Sequence, residues 1–315
     1  MVRASAERTV APAAAATRAG PREQTRARYP DRTGFVERDG VRTHWEVCGN
    51  GEPAILFAPT WSIVHSRIWK AQVPYFARRH KVVTVDARGN GASDRPATAD
   101  AYNEREIAAD LLATLDATGT ERAVVVSLSL GAQRALVLAA EHPERVHGLV
   151  FLGPAVPLGD GPARDSGPFD DPPAANEGWA LYNRHAWRRD YARFLEFFFG
   201  QCFNETHSTK QIEDAVGWGG ETDGETLIRT EDAAQLDEAT TRRLCNAVVC
   251  PTLVIQGEDD AVTGRGRGVA LAEAIPEARL VTIAGGGHIL NVREPVLVNH
   301  LIRDFVRAMG TETVP

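Results

Sequence analysis

Cysteine is scarce in this chain, and the little there is forms no pattern. Cys48, Cys202, Cys245 and Cys250 have neither metal-ligand spacing nor the density of a disulfide framework. They are expected as free thiols in a reducing cytoplasm, with Cys48 inside a strand. Long apolar runs are also missing. None approaches the roughly 20 residues that span a bilayer, so no membrane partner is expected. Basic residues form no block beyond a scattered N-terminal set, and the net charge is −7. That balance argues against nucleic acid and against an anionic membrane surface. Residues 1–31 lack the apolar core of a secretory signal. They share only their arginine content with a transit peptide, and read as a disordered tail.

What is present is a globular composition. The 315 residues are 43% hydrophobic and 24% charged, enough for one large α/β domain or two small ones. Gly34–Val47 reads as a hairpin turning at Asp39-Gly40. Apolar runs at Ala54–Ala58, Lys81–Val85, Ala123–Ser127, Leu149–Leu152, Thr252–Gln256 and Arg279–Ile283 read as buried strands. Helical spacing lies between them at Ser66–Arg79, Glu104–Ala117, Leu130–Ala140 and Val269–Ile275, and after the last strand at Pro295–Met309. This alternation predicts a mostly parallel sheet covered on both faces. It breaks at 154–245, where a Gly/Pro/Asp-rich start gives way to helical, aromatic sequence. That segment reads as an insertion, with 32–153 and 246–315 forming one core.

The central stretch is Ser127-Leu128-Ser129-Leu130-Gly131, set between three valines and an Ala/Leu-rich helix. A strand that turns at once into a helix holds its middle residue in a tight conformation and lifts that side chain clear of the sheet. Ser129 is therefore a candidate nucleophile, beside the free N–H groups of a helix N-terminus. A serine hydroxyl needs a base, and the base needs an orienting acid. Asp260 and His288 each lie just past a strand, where catalysts gather in open α/β sheets.

The chain resembles the α/β-hydrolases, in the capped group that shares a D-x-R-G-x-G-x-S-D-R-P loop. Here that loop is Asp86-Ala-Arg88-Gly89-Asn-Gly91-Ala-Ser93-Asp94-Arg95-Pro96, matched at every defined position. The elbow, the Gly257-x-x-Asp260 loop and Gly287-His288 follow in the family's order, and the likeness covers about residues 33–310. The resemblance implies Ser129 as nucleophile, His288 as base and Asp260 as orienting acid. It also implies an oxyanion hole made by the backbone N–H groups of Leu130 and, from the loop after Ala54–Ala58, Trp61. No metal or organic cofactor is implied.

Two positions depart from the family. Ala58-Pro59-Thr60-Trp61 stands where His-Gly is usual, and Ser127 where Gly is usual. Ser129 in place of an elbow Asp excludes dehalogenase and epoxide-hydrolase chemistry. It points to acyl chemistry on an ester, thioester, lactone, amide or a C–C bond beside a carbonyl. Acyl transferases and cofactor-free haloperoxidases share the same three residues, and a non-catalytic receptor could keep the fold.

Asp259 competes with Asp260, but spacing from Gly257 favours Asp260. Asp86 and Arg88 read as structural, and so does His142. His207 reads as a helix-cap residue. His65, Trp187, Tyr191 and Phe198 are candidates for a substrate pocket, which predicts a small apolar or aromatic substrate. The oligomeric state stays open.

Overall fold

Aspartate and glycine at the first turn set the start of the fold. Asp39 and Gly40 both take positive φ, 52° and 75°, which matches the twist of a two-residue hairpin. They join β1 (Arg32–Arg38) to β2 (Val41–Cys48). The remaining strands are β3 (Ala54–Phe57), β4 (Val82–Val85), β5 (Ala123–Leu128), β6 (Val146–Leu152), β7 (Thr252–Gly257) and β8 (Arg279–Ile283). They form one eight-stranded sheet in the order β1-β2-β4-β3-β5-β6-β7-β8. The β1–β2 and β2–β4 pairs are antiparallel and every later pair is parallel. The computed structural model describes residues 26–311. Most of the expected tail, residues 1–25, therefore lies outside the described residues. The part within them touches the sheet: Arg26 pairs with Glu46 at 2.8 Å, and Asp31 accepts the Gly49 N–H at 2.6 Å.

The strands read as continuous apolar runs because both faces are covered. Ile55, Phe57, Val124, Val126, Val150 and Leu152 point to one side. They meet α1 (Val73–Phe76) and α11 (Pro295–Thr311). Ala54, Leu56, Val125, Leu149, Phe151 and Val254 point to the other. There they meet α2 (Glu104–Thr118), α3 (Gly131–Glu141) and, farther along, α9 (Arg265–Ala274).

Ser66–Arg79 is not the single helix its spacing predicts. It breaks into a 3-10 turn at Ser66–Trp69 and the short α1. Pro74 explains the break. It has no N–H to give and its ring would clash one turn back, so a helix entering from Ser66 cannot pass it. Pro74 sits instead in the first turn of α1. Ile68, Trp69 and Phe76 stay buried, so the apolar period survives without the helix.

Between β6 and β7 the described chain forms no strand. It runs through α4 (Arg184–Arg189), α5 (Tyr191–Cys202), α6 (Thr209–Gly219), α7 (Gly224–Asp232) and α8 (Glu238–Ala247). Phe194, Phe198, Trp187 and Leu227, from α4, α5 and α7, are continuous with the core under Trp61. Helix α8 leaves that group, and its Cys245 packs on the opposite side of the sheet with Leu138 and Leu271. A short α10 (Leu290–Arg293) precedes α11.

Candidate active site

The strand β5 runs straight into α3 with two residues between them, and Ser129 absorbs the turn. Its φ is 54°, a left-handed conformation that costs a non-glycine residue about 1–3 kcal/mol. The neighbouring strand holds it there. Ser129 donates its N–H to Leu152 at 3.0 Å and accepts the Ala155 N–H at 3.0 Å. Gly131 completes the turn, because a Cβ there would lie 2.7 Å from the Pro59 carbonyl oxygen. Ser127, where the resembled family has glycine, is fully buried in β5. Its hydroxyl lies 3.4 Å from the Val150 carbonyl on β6.

Asp260 and His288 are brought together from the ends of β7 and β8. His288 Nδ1 lies 2.9 Å from Asp260 Oδ2, with both side chains buried. A carboxylate only accepts, so Nδ1 carries the proton and Nε2 is left as the basic nitrogen. Asp260 also accepts the Val262 and Thr263 N–H groups, each at 2.8 Å, and the Thr263 hydroxyl at 2.7 Å. Gln256 adds an amide donor at 3.2 Å. Burial alone would raise this carboxyl, but the charge and hydrogen bond of His288, with the Thr263 donors, hold it well below the usual carboxylate range. Gly153, at φ 45°, makes room for the pair. A Cβ there would meet His288 Nδ1 at 3.1 Å and Asp260 Oδ2 at 3.2 Å. Asp259, the competitor, is exposed and contributes its backbone carbonyl to Asn204.

The loop after β3 is held from behind by an ion pair inside the protein. Arg134, on α3, donates to the carbonyls of Pro59 (3.2 Å) and Thr60. Its charge is met by Glu104 at the start of α2, 2.8 Å away, and both side chains are almost fully buried. Burial pushes the Glu104 carboxyl up, and Arg134 opposes that. The D-x-R-G loop supports the same region. Arg88 forms a two-pronged pair with Asp110 at 2.6 and 2.8 Å, and its carbonyl accepts the Ser62 hydroxyl at 2.7 Å. Asp86 accepts the Ser66 and Ala92 N–H groups at 3.0 and 3.1 Å. These residues are structural.

Ser129 opens onto a cavity of about 170 Å³. Trp61, Leu130 and Phe198 line it beside the serine. Neither the Trp61 nor the Leu130 backbone N–H has an acceptor among the described residues. Part of its wall is polar, including Arg164, Tyr182, Glu231 and Arg267. Burial pushes Glu231 up to about 7 despite a hydrogen bond from Tyr182, whose own phenol burial raises well above its ordinary value. The expected apolar lining is thus only half of the wall.

Three of the four pocket candidates behave differently from Phe198. Trp187 is buried behind Trp61, with ring centroids 5.9 Å apart. Tyr191 donates its hydroxyl to Gly219 at 3.2 Å. His65 is buried beside Glu221 (3.2 Å) and Trp218. None of the three lines the cavity. His142 lies at a half-exposed helix end, and His207 takes φ 63° in an exposed turn before α6.

Sequence reasoning missed Arg134, Glu104, Thr263 and the four polar wall residues. Arg134 left one trace, a charge among Ala132, Ala135 and Leu136 on a buried helix. The wall residues left none, since they come from four separate stretches of chain. Among the described residues no group of three or more His, Cys, Asp or Glu side chains could hold a metal ion, and no helix is long and apolar enough to cross a membrane.

The profile of the alpha/beta hydrolase fold family matches residues 53–295. A curated protein of Klebsiella pneumoniae subsp. pneumoniae, named "Putative carbamate hydrolase RutD", is 28% identical over 248 residues, covering 76% of this chain and 86% of its own. Among solved structures, "Est816 as an N-Acyl homoserine lactone degrading enzyme" superposes with a TM-score of 0.71 and 28% identity, covering 86% of this chain and 100% of its own. An aryl esterase structure from Burkholderia cenocepacia, itself described as putative, reaches a TM-score of 0.75 at 21% identity, covering 89% and 100%, which shows the shared fold.

Proposed function

The chain belongs to the α/β-hydrolase fold family, and from that premise we propose that it is a serine hydrolase cleaving an ester, thioester or related acyl bond of a small substrate through an acyl-enzyme. The observation that carries this reading is the Asp260–His288 pair at 2.9 Å, in the loops after β7 and β8, together with Ser129 held at positive φ at the exit of β5. Asp260 fixes the imidazole with Nδ1 protonated, which keeps Nε2 free to take the Ser129 proton. The serine oxygen attacks the carbonyl carbon. The negative charge that develops on the carbonyl oxygen is met by the Leu130 and Trp61 N–H groups, neither of which has an internal acceptor among the described residues. One such donor typically contributes about 3 kcal/mol to the transition state. His288 then passes its proton to the leaving group. Water, activated by the same imidazole, releases the acyl group and restores Ser129.

The helices α4 to α7 act as a cap over this site, within an insertion spanning about 154–245. Their aromatic side chains build the Trp61 side of the cavity, and α7 supplies Glu231. The small cavity suits a compact substrate, since pockets for drug-sized ligands begin near roughly 300 Å³. The activities in the relatives' names, hydrolysis of a carbamate and degradation of an N-acyl homoserine lactone, are compatible with the same acyl chemistry. Four buried, unpaired thiols suit a reducing cytoplasm. The test is turnover of p-nitrophenyl esters of graded acyl length. Wild-type protein is expected to show a burst and then steady turnover on short esters, and Ser129→Ala to show neither. Full turnover by the variant would sink the reading.

A further inference from the structure

We propose that the substrate carries a carboxylate, held by Arg164 and Arg267 in the wall of the cavity that Ser129 also lines. This rests on the hydrolase reading above and adds to it the charge of the substrate. The two guanidiniums come from different parts of the chain, Arg164 from the stretch after β6 and Arg267 from the first turn of α9. They line the same small cavity as Ser129. Among the described residues neither forms an ion pair with a carboxylate, and Arg267 Nε is buried with no hydrogen-bond partner. A buried polar group left this way is costly unless something else satisfies it.

Nearby carboxylates act on the two arginines from a distance and, among the described residues, form no direct ion pair with either. Asp260 is already committed to His288 and Thr263. Glu231 shares a hydrogen bond with Tyr182 and is pushed toward its neutral form by burial.

Two further features fit a bound anion. Arg267 sits in the first turn of a ten-residue helix, where the backbone dipole already favours negative charge and a cation is disfavoured. Its charge there works against stability, and an anion beside it would reverse the sign. Arg164 lies over the Trp179 ring with its Cζ 4.0 Å from the centroid, a cation–π contact that helps hold the guanidinium in place. Each arginine can meet a carboxylate with two parallel N–H donors. Desolvation lowers the pKa of both; the Asp260 charge opposes this on each, and on Arg164 the neighbouring Arg267 charge adds to the lowering.

The experiment compares two p-nitrophenyl esters of equal length, the anionic glutarate monoester and the neutral valerate. The ratio of their kcat/KM values, measured on one preparation, cancels any loss of folded protein. Wild-type protein is expected to favour the glutarate ester, and Arg267→Met and Arg164→Met each to reduce that preference at least tenfold. A wild-type preference for valerate, or a ratio unchanged in both variants, would overturn the proposal. Calorimetric titration with monomethyl glutarate separates this from failure of the hydrolase reading. Absent turnover of both esters with binding that weakens tenfold in Arg267→Met would end the hydrolysis claim and keep the anion site. No binding together with no ester preference would end the anion site.

Discussion

Replacing Arg134 by methionine tests how the loop that carries Trp61 is held. The side chain keeps much of its length but loses its charge and all five donors. Glu104 then stays buried with no cation, and the Pro59 and Thr60 carbonyls lose a donor each. Removing one partner of a buried pair typically costs about 3–5 kcal/mol. That is a large part of the roughly 5–15 kcal/mol that holds a domain folded. The loss should depend on pH in a definite direction. Burial already raises Glu104, and Arg134 supplies both opposing influences, its charge and its hydrogen bond. Without them the folded-state pKa rises further. An acid raised on folding binds more protons in the folded state, so stability falls as pH climbs from the unfolded pKa through the folded one. Urea unfolding of Arg134→Met should therefore show a larger deficit at pH 8 than at pH 5. Adding Glu104→Gln should remove the pH dependence and recover part of the stability. A deficit under about 1 kcal/mol, equal at both pH values, would refute the reasoning.

Two other expectations concern the site itself. Asp260→Asn removes the carboxylate that fixes the His288 tautomer and should lower kcat by roughly 10⁴-fold with little change in KM, read from ester kinetics; a loss below tenfold would assign Asp260 a structural role. Glu231, pushed up to about 7 by burial beside Tyr182, Asp232 and Arg164, should make the protein less stable as pH rises from about 4.5 through 7. Glu231→Gln should flatten that slope in thermal unfolding followed across pH 5–8.

Local signals carried much of the fold. Asp39-Gly40 has its positive φ values because the turn needs them, and those residues accept them. The three valines before Ser127 read as a buried strand because both faces of β5 are covered. Ser66–Arg79 misled because apolar spacing reports which side chains are buried, while one proline decided whether a continuous helix could do it. The strand-end positions of Asp260 and His288 were legible from chain order, since each follows its strand by a few residues. The Arg134 clamp, the Thr263 donors and the polar wall were not. They depend on how α2, α3, α7 and α9 meet in space, and no period or spacing along the chain records that. His65, Trp187 and Tyr191 show the converse: aromatic and titratable residues near a site in sequence, used for packing behind it.

The central claim is that Ser129 carries the acyl group between two half-reactions. Acid-quenched mass spectrometry of the protein in the first turnovers of a p-nitrophenyl ester tests it most directly. The account predicts an adduct of one acyl mass on the peptide holding Ser129, formed as fast as p-nitrophenol appears and decaying at the steady-state rate. Full product release with no adduct at Ser129, or an adduct on another residue, would contradict it.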